Sequence, residues 1–436
     1  MPELKANMDK ELKDSTVQDT GLAAAVFPDT YLPITIDAEL IEKLVPPGTT
    51  TRATRQTKSK NKSKSILLNP PEFWTENNFA DWLNSIGDAL ETMYPLLGTY
   101  LDVDGKQAAI AKRRWSPRHH GSILDGSPIR RKPDAILVDR NCESGVDGQE
   151  ITWQKVHAVC EVTVSERKNS KTIKETVRQK SYLMLTTQVD RCFTICLDFT
   201  CDSFTLTVID RAGLVHTETL KVLEEPSTLL RIIVGLMFGR PSDIGYDETM
   251  ECDDDGKAKS LMIGGKRYQV EEELFRSESV RGRATKCWRV SRSEGGIVDQ
   301  FVVKDSWVDV RRMQSEIMTL TRICNDHLCE GQGVPRLICG EDVRVPTGPH
   351  LAPIFIIDST ARRRVTLAND QAEERVHQQL LMGPVGIRIT NFRSLKELVG
   401  AFIDVVQGIF RSTLIIKYAH NWIFSARQLV QCENPT

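Results

Sequence analysis

Apolar residues recur at helical spacing from Phe79 through Trp82, Leu83, Ile86 and Leu90 to Met93. That stripe predicts an amphipathic helix, with Thr75 placed to cap it and Pro95 to stop it. TYLDV (99–103) comes next, then a basic loop, AKRRWSPRHH (111–120), and the apolar strand PDAILVD (133–139). In VHAVCEVT (156–163), Val156, Ala158, Cys160 and Val162 alternate with their neighbours, which is the period of a strand with two distinct faces. A helix carrying Ile173, Val177, Tyr182 and Met184 follows. Two further strands are CFTICL (192–197) and FTLTVID (204–210), the second entering a turn at Arg211-Ala212-Gly213. Helix, three strands, helix and further strands give a mixed α/β unit over residues 71–250.

The acidic, glycine-containing break ECDDDGK (251–257) is the expected domain boundary. Beyond it, YQVEEELFRS and KCWRVSR read as strands and QFVVKDSW (300–307) as a third, with VDVRRMQSEIMTLTRIC as a helix. Ser394 and Glu397 form an S-x-x-E capping box before a helix over 394–410, whose apolar side holds Leu395, Leu398, Val399, Phe402, Val406 and Ile409. Residues 1–70 are expected to be a mostly disordered tail and basic linker with a short helix at most, 258–410 a second folded unit, and 411–436 a tail of different character. No internal repeat is visible.

Composition narrows this little. The 436 residues suffice for two or three domains, and 40% hydrophobic with 27% charged residues is a globular balance. A formal charge of −2 gives no global attraction to nucleic acid or an acidic membrane, so neither is expected as a partner. TRATRQTKSKNKSK (51–64) is basic without one acidic residue, and reads equally as a nuclear-localisation signal or a solvated linker. The eleven cysteines include no C-x-x-C pair. Cys192, Cys196 and Cys201 fit no zinc-knuckle spacing and read as buried strand thiols. The charged N-terminus lacks a signal-peptide core and no run of eighteen apolar residues occurs, so the reading is intracellular, cytoplasmic or nuclear.

The candidate chemistry lies in the second unit. Phosphoryl transfer needs a tight loop over ATP phosphates, a lysine on the third strand, a glutamate from the next helix to position it, and then two aspartates, one for the attacking hydroxyl and one for magnesium. Ser279-Val280-Arg281-Gly282-Arg283-Ala284-Thr285 lies between two strands, where the loop belongs, and keeps Gly282 of the usual glycines. Val302-Val303-Lys304 ends an apolar strand, as V-A-I-K does in kinases, and Glu316 lies inside the following helix. Singly, Lys304 reads as an ordinary strand-end lysine and Glu316 as part of a solvated face. Their order and placement together favour the nucleotide reading.

RGRATKCWRV, VVKDSW and MGPVG with NFRSLKELVGAFIDVV, preceded by RKPDAILVD, SYLMLTTQVDRCF and VIDRAGLV, resemble the fungal-type protein kinase family over roughly residues 70–410. The resemblance implies a serine/threonine-type kinase fold using ATP and magnesium on a protein substrate. Lys304 and Glu316 are its matched nucleotide-positioning pair, Gly282 falls in the nucleotide-covering loop, and 382–386 is the hinge. A His-Arg-Asp catalytic loop and a magnesium aspartate should follow. The chain instead reads RSTLIIKYAHNWIFSARQLVQCENPT (411–436), where His420 is followed by Asn421 and Trp422, and no aspartate occurs after Asp404. Asparagine cannot accept the substrate proton. The expectation is an incomplete protein-kinase-like fold, inactive as written, with weak or lost ATP binding and no magnesium ligand. The tail resembles an interrupted reading frame. A pseudokinase fragment serving as a protein-interaction module is the alternative.

The first unit carries another candidate. Its order of elements resembles restriction-endonuclease-like folds, in which a Pro-Asp pair and a Glu-x-Lys strand converge on a divalent metal. Here the residues are Pro133-Asp134 and Glu161-Val162-Thr163, with threonine in the lysine position and Gln179 on the next helix near the same edge. Without that lysine the transition-state charge lacks its partner, so the unit is expected to be a scaffold or binding module attached to the kinase, with a degenerate metal-dependent nuclease-like domain as the outside alternative.

Overall fold

The computed structural model describes residues 15–44, 75–102, 104–109, 112–127, 130–144, 150–163, 170–200, 202–312, 314–325, 335–364, 373–415 and 430–432, together with Met8, Glu11, Leu12, Leu68, Pro70 and Pro71. Two large sheets organise it.

The first sheet is mixed and carries helices on both faces. Its main strands are β1 (Thr16–Gln18), β2 (Arg113–Ser116), β3 (Ala135–Asp139), β4 (Ala158–Thr163), β5 (Thr194–Thr200), β6 (Ser203–Asp210) and β7 (Gly213–His216), in the spatial order β1-β7-β6-β5-β4-β3-β2, and the two-residue strand Leu220–Lys221 pairs with the start of β6. Most neighbours are antiparallel, but β1 runs parallel to β7, and β4 parallel to β5. A parallel pair needs a crossover, and between β4 and β5 this is α4 (Ser170–Thr187). Other helices here are α1 (Leu22–Val26), α2 (Ala38–Leu44), α3 (Glu76–Met93) and α5 (Pro226–Phe238), with one short turn of helix at Arg140–Ser144. Phe79, Leu83, Ile232 and Phe27 pack with Ala158, Cys160, Ile195 and Leu197 on one face. Val177, Leu183 and Met184 of α4 pack with Val159 and Cys196 on the other. The central strands are apolar on both faces because both faces are covered.

Thr75 caps α3, its Oγ1 accepting the Asn78 amide at 3.2 Å, as the sequence suggested. The expected tail is wrong for residues 15–44. β1 extends the sheet, and Leu22, Phe27, Leu40 and Leu44 are 0–1% exposed in the main core. The basic loop holds at 117–120 but not before it. Arg113–Ser116 is a strand, and the Arg113 guanidinium is buried where Nη1 donates to the Leu236 and Gly239 carbonyls, each at 2.9 Å. Those two carbonyls lie at the end of α5, where unpaired C=O groups and the helix dipole favour a cation. The basic segment 51–64 lies outside the described residues.

The second sheet is antiparallel throughout. Its strands are β8 (Met250–Cys252), β9 (Ala258–Ile263), β10 (Lys266–Arg276), β11 (Lys286–Glu294), β12 (Ile297–Asp309), β13 (Arg336–Asp342) and β14 (Arg375–Gly383), in the order β8-β9-β10-β11-β12-β14-β13. The acidic break at 251–257 is therefore not a linker. It is the hairpin turn between β8 and β9, where the Asp253 carboxylate accepts the amides of Asp255 and Lys257. The expected helix at 308–324 shortens to α6 (Glu316–Asn325), because Val308 and Asp309 still pair with Val376 and Arg375 of β14. α7 (Leu395–Ile415) starts at the expected place, with Ser394 Oγ accepting the Glu397 amide at 3.2 Å, and outlasts the expected end at 410.

A buried polar seam joins the sheets. Asp210, at the end of β6, accepts both terminal nitrogens of Arg364 at 2.6 Å and Nε of Arg363 at 3.2 Å. Beside it, His377 of β14 stacks on Trp307 of β12 with ring centroids 4.7 Å apart, and its Nε2 meets Asp305 Oδ2 at 2.8 Å. Trp307 and Ala284 belong to the same apolar cluster as Phe193 and Ile195 of the first sheet.

Burial opposes charge on Asp305 and His377, yet their mutual attraction outweighs it. The Asp305 carboxyl falls to about 2, and the His377 imidazole rises well above its ordinary range. The two signs define a window. The aspartate's contribution is present above the unfolded value of 3.8 and is lost as pH falls through about 2. The histidine's contribution is complete below its unfolded value of 6.5 and is lost as pH rises through its folded one. Asp305→Asn should therefore cost about 3 kcal/mol in urea unfolding near pH 5 to 6, a difference that shrinks between about pH 4 and 2. A penalty independent of pH would mean that the pair is not ionised.

Candidate functional site

Lys304 sits in the middle of the second sheet, on β12, level with Cys287 of β11 and Leu380 of β14. Its Nζ donates to both carboxylate oxygens of Glu316 at 2.7 Å, and the two side chains are 18% and 17% exposed. Glu316 is the first residue of α6 rather than an interior one. Ser315 caps the helix, its Oγ accepting the Met318 amide at 3.2 Å. A carboxylate in the first turn is favoured by the helix dipole, so this position is stabilised locally as well as by the lysine. Burial pushes the neighbouring Cys287 thiol up to about 12, leaving it protonated and inert beside the pair.

Gly282 lies in the loop between β10 and β11, at φ +112°. A Cβ there would meet nothing within 4 Å, so the glycine is required by backbone conformation and not by space. The loop is drawn toward the first sheet. Gly282 N donates to the Arg211 carbonyl at 2.9 Å, Arg211 Nη1 donates to the Val280 carbonyl at 3.2 Å, and Val280 is buried with Leu12, Ile209 and Leu214. The matched hinge, 382–386, begins at the last two residues of β14. His420 and Asn421 lie outside the described residues.

Counted from β10, Lys304 lies on the third strand, after the loop that carries Gly282 and before the helix that carries Glu316, which is the order of a kinase's loop, lysine and glutamate. The family model described as fungal protein kinase matches residues 132–423. This chain belongs to the fungal protein kinase family. The match begins before β3, so it takes in β3–β7 of the first sheet and the second sheet, and leaves out β1 and β2. No curated protein and no solved structure matches the chain.

The first sheet of this family member brings together part of its own candidate set. Asp134 Oδ2 accepts the Val162 amide at 2.9 Å, placing the aspartate against the strand that carries Glu161. Gln179 Nε2 donates to Glu175 Oε1 along its own helix, at 3.3 Å. Its neighbour Lys180, buried on α4, is the residue whose Nζ contacts Glu161. Sequence reasoning missed it, since nothing local marks a helical lysine as the partner of a strand nineteen residues earlier. Burial raises the Glu161 carboxyl to about 7, with Lys180 pulling the other way. Thr163 lies two residues on along the same face, buried, its hydroxyl without a hydrogen-bond partner.

Two further groups have the composition of ligand sets. Cys192, Asp358 and His377 form one, and Asp247, Asp305 and His377 the other, all buried and sharing one imidazole. Their charge is already answered inside the seam, where Asp358 is paired with Arg362 and Arg363 and Asp305 with His377. Cys192 and Cys196 are buried thiols as expected, and Cys201 lies outside the described residues. A cleft of about 370 Å³ opens where β3 and β4 meet the β8–β9 turn. His157 in it contacts Asp139 through Nε2 and the Tyr246 hydroxyl through Nδ1, both at 2.9 Å. In the neutral imidazole one ring nitrogen donates to Asp139 and the other accepts from the Tyr246 hydroxyl, and burial lowers the His157 pKa from its ordinary value. Among the described residues no helix is long and apolar enough to cross a membrane.

Because Gly282 is held by dihedral preference alone, Gly282→Ala should cost about 1–2 kcal/mol, with increased amide exchange confined to 277–285. Exchange spread across β12 and β14 would show that the loop carries the sheet rather than resting on it.

Proposed function

We propose that the second sheet is the nucleotide-positioning lobe of a protein-kinase-like fold, in which Lys304 draws in ATP phosphates, Glu316 fixes the lysine and Gly282 lets the covering loop approach. The observation carrying this reading is the Lys304–Glu316 pair itself, with a third-strand lysine held at 2.7 Å by a glutamate of the following helix. Kinase chemistry requires that pair and, separately, carboxylates for the attacking hydroxyl and the metal. The 436 residues contain no aspartate after Asp404, and asparagine follows His420. Parts that act as a unit lose their effect together. Residues 405–436 supply neither aspartate, so the function proposed for residues 1–436 is weak nucleotide holding at Lys304, with phosphoryl transfer requiring aspartates that these residues do not carry. The chain's use is that of a pseudokinase-like module contacting another protein inside the cell, in cytoplasm or nucleus.

A second reading attaches to the first sheet, and Lys180 favours it. Asp134 and Glu161 on adjacent strands, with a buried lysine delivered from α4 in place of Thr163, supply two carboxylates and a cation at one edge. Such a set can hold magnesium against a phosphodiester and stabilise the charge of an attacking water. It stands second because Glu161, at about 7, is only partly ionised near neutrality.

A fluorescent ATP analogue should bind this chain in the high micromolar range or weaker, and Lys304→Met should abolish that binding. Labelled phosphate should reach no protein substrate. Lys304-dependent phosphorylation would overturn the inactive reading, and binding unaffected by Lys304→Met would overturn the site. Magnesium-dependent plasmid cleavage lost in both Asp134→Ala and Lys180→Ala would promote the second reading to first.

A further inference from the structure

The donors at the start of the covering loop already hold an anion. Glu11 places its carboxylate against residues 279–281. Val280 N donates to Oε2 at 2.8 Å and Arg281 N to the same oxygen at 3.1 Å, while Ser279 Oγ donates to Oε1 at 3.2 Å. Arg281 Nη1 also reaches the Glu11 carbonyl at 3.4 Å. Two successive backbone amides and a hydroxyl converging on one carboxylate form an anion nest, the arrangement by which loops cradle phosphates. Leu12, beside Glu11, is 2% exposed in the apolar cluster that buries Val280. The segment therefore grips the loop through one charged and one apolar contact.

We propose that Glu11 is a built-in competitor for this loop. Its carboxylate fills the nest that would otherwise accept a phosphoryl group, and so latches the loop onto the first sheet, away from a nucleotide. This rests on the nucleotide reading of Lys304 and adds its regulation. The physical basis is that a carboxylate and a phosphate oxygen make the same demand on backbone N–H groups, and one nest satisfies one anion at a time. The carboxylate is tethered, so its local concentration is high without any free ligand. The latch opens when Glu11 is withdrawn.

Glu11→Gln and Glu11→Ala in the full chain test this by two readouts. Without nucleotide, amide exchange of the 277–285 peptide should rise about tenfold or more in Glu11→Ala, and less in Glu11→Gln, which keeps an uncharged acceptor. Binding of the fluorescent ATP analogue should tighten severalfold in Glu11→Ala, and should vanish in the Glu11→Ala, Lys304→Met double variant. Unchanged loop exchange overturns the latch. Faster exchange with unchanged or weaker nucleotide binding overturns the competition, because Glu11 would then be supporting the loop. If no variant binds nucleotide, competition fails together with the nucleotide reading. Wild-type binding that depends on Lys304 but not on Glu11 rejects the competition and leaves that reading intact.

Discussion

Asp210 holds two consecutive arginines across the join between the sheets, and the rest of the structure is arranged around that contact. A carboxylate 1% exposed is costly to ionise unless its partners are fixed and close. Here Arg364 is bidentate, and Arg363 adds a third donor while its guanidinium lies 4.4 Å from the Phe193 ring centroid. The aspartate belongs to the first sheet and the arginines to the segment between β13 and β14. Asp210 depends on the two arginines for compensation, while Arg363 also pairs with Asp358 of its own segment. The seam continues through His377, Asp305 and Asp358, with Trp307 stacked against the imidazole. Such a seam contributes less net stability than an apolar one of equal size would. What it supplies is register, because misalignment strands several charges at once.

That constraint explains which features were legible in the sequence. The Lys304–Glu316 pair was, because it is written in local terms, as an apolar run ending in lysine and then a helix bearing a glutamate. The helices at 75–93 and from 394 were also legible, because Thr75 and Ser394 cap them with their own side chains. Features created by tertiary pairing were not. Arg113 reads as part of a solvated basic loop until the end of α5 arrives to accept it. Lys180 reads as one more polar helical residue until β4 places Glu161 against it. The stretch 15–44 looked like a tail because its elements are short, and they become ordered structure only by adding to an existing sheet and core.

The second sheet is unevenly covered. Its β8–β12 side shares the apolar cluster around Leu261, Trp288, Val303 and Leu381. α7 is different, with Leu395, Val399, Phe402 and Val406 between 48% and 72% exposed. A helix with such a stripe draws little stability from its own chain, since tertiary burial is what normally holds an amphipathic helix in place.

Lys304 and Asp305 are neighbours on β12, so their side chains leave opposite faces of the same strand. One face presents Lys304 to Glu316 and the other is sealed into the seam. Strand β12 is thus a two-sided lever. Anything that shifts the lysine's face strains the sealed face, and loosening the seam frees the lysine to wander. By reciprocity, occupancy on one side and cohesion of the two sheets on the other must alter each other by the same free energy.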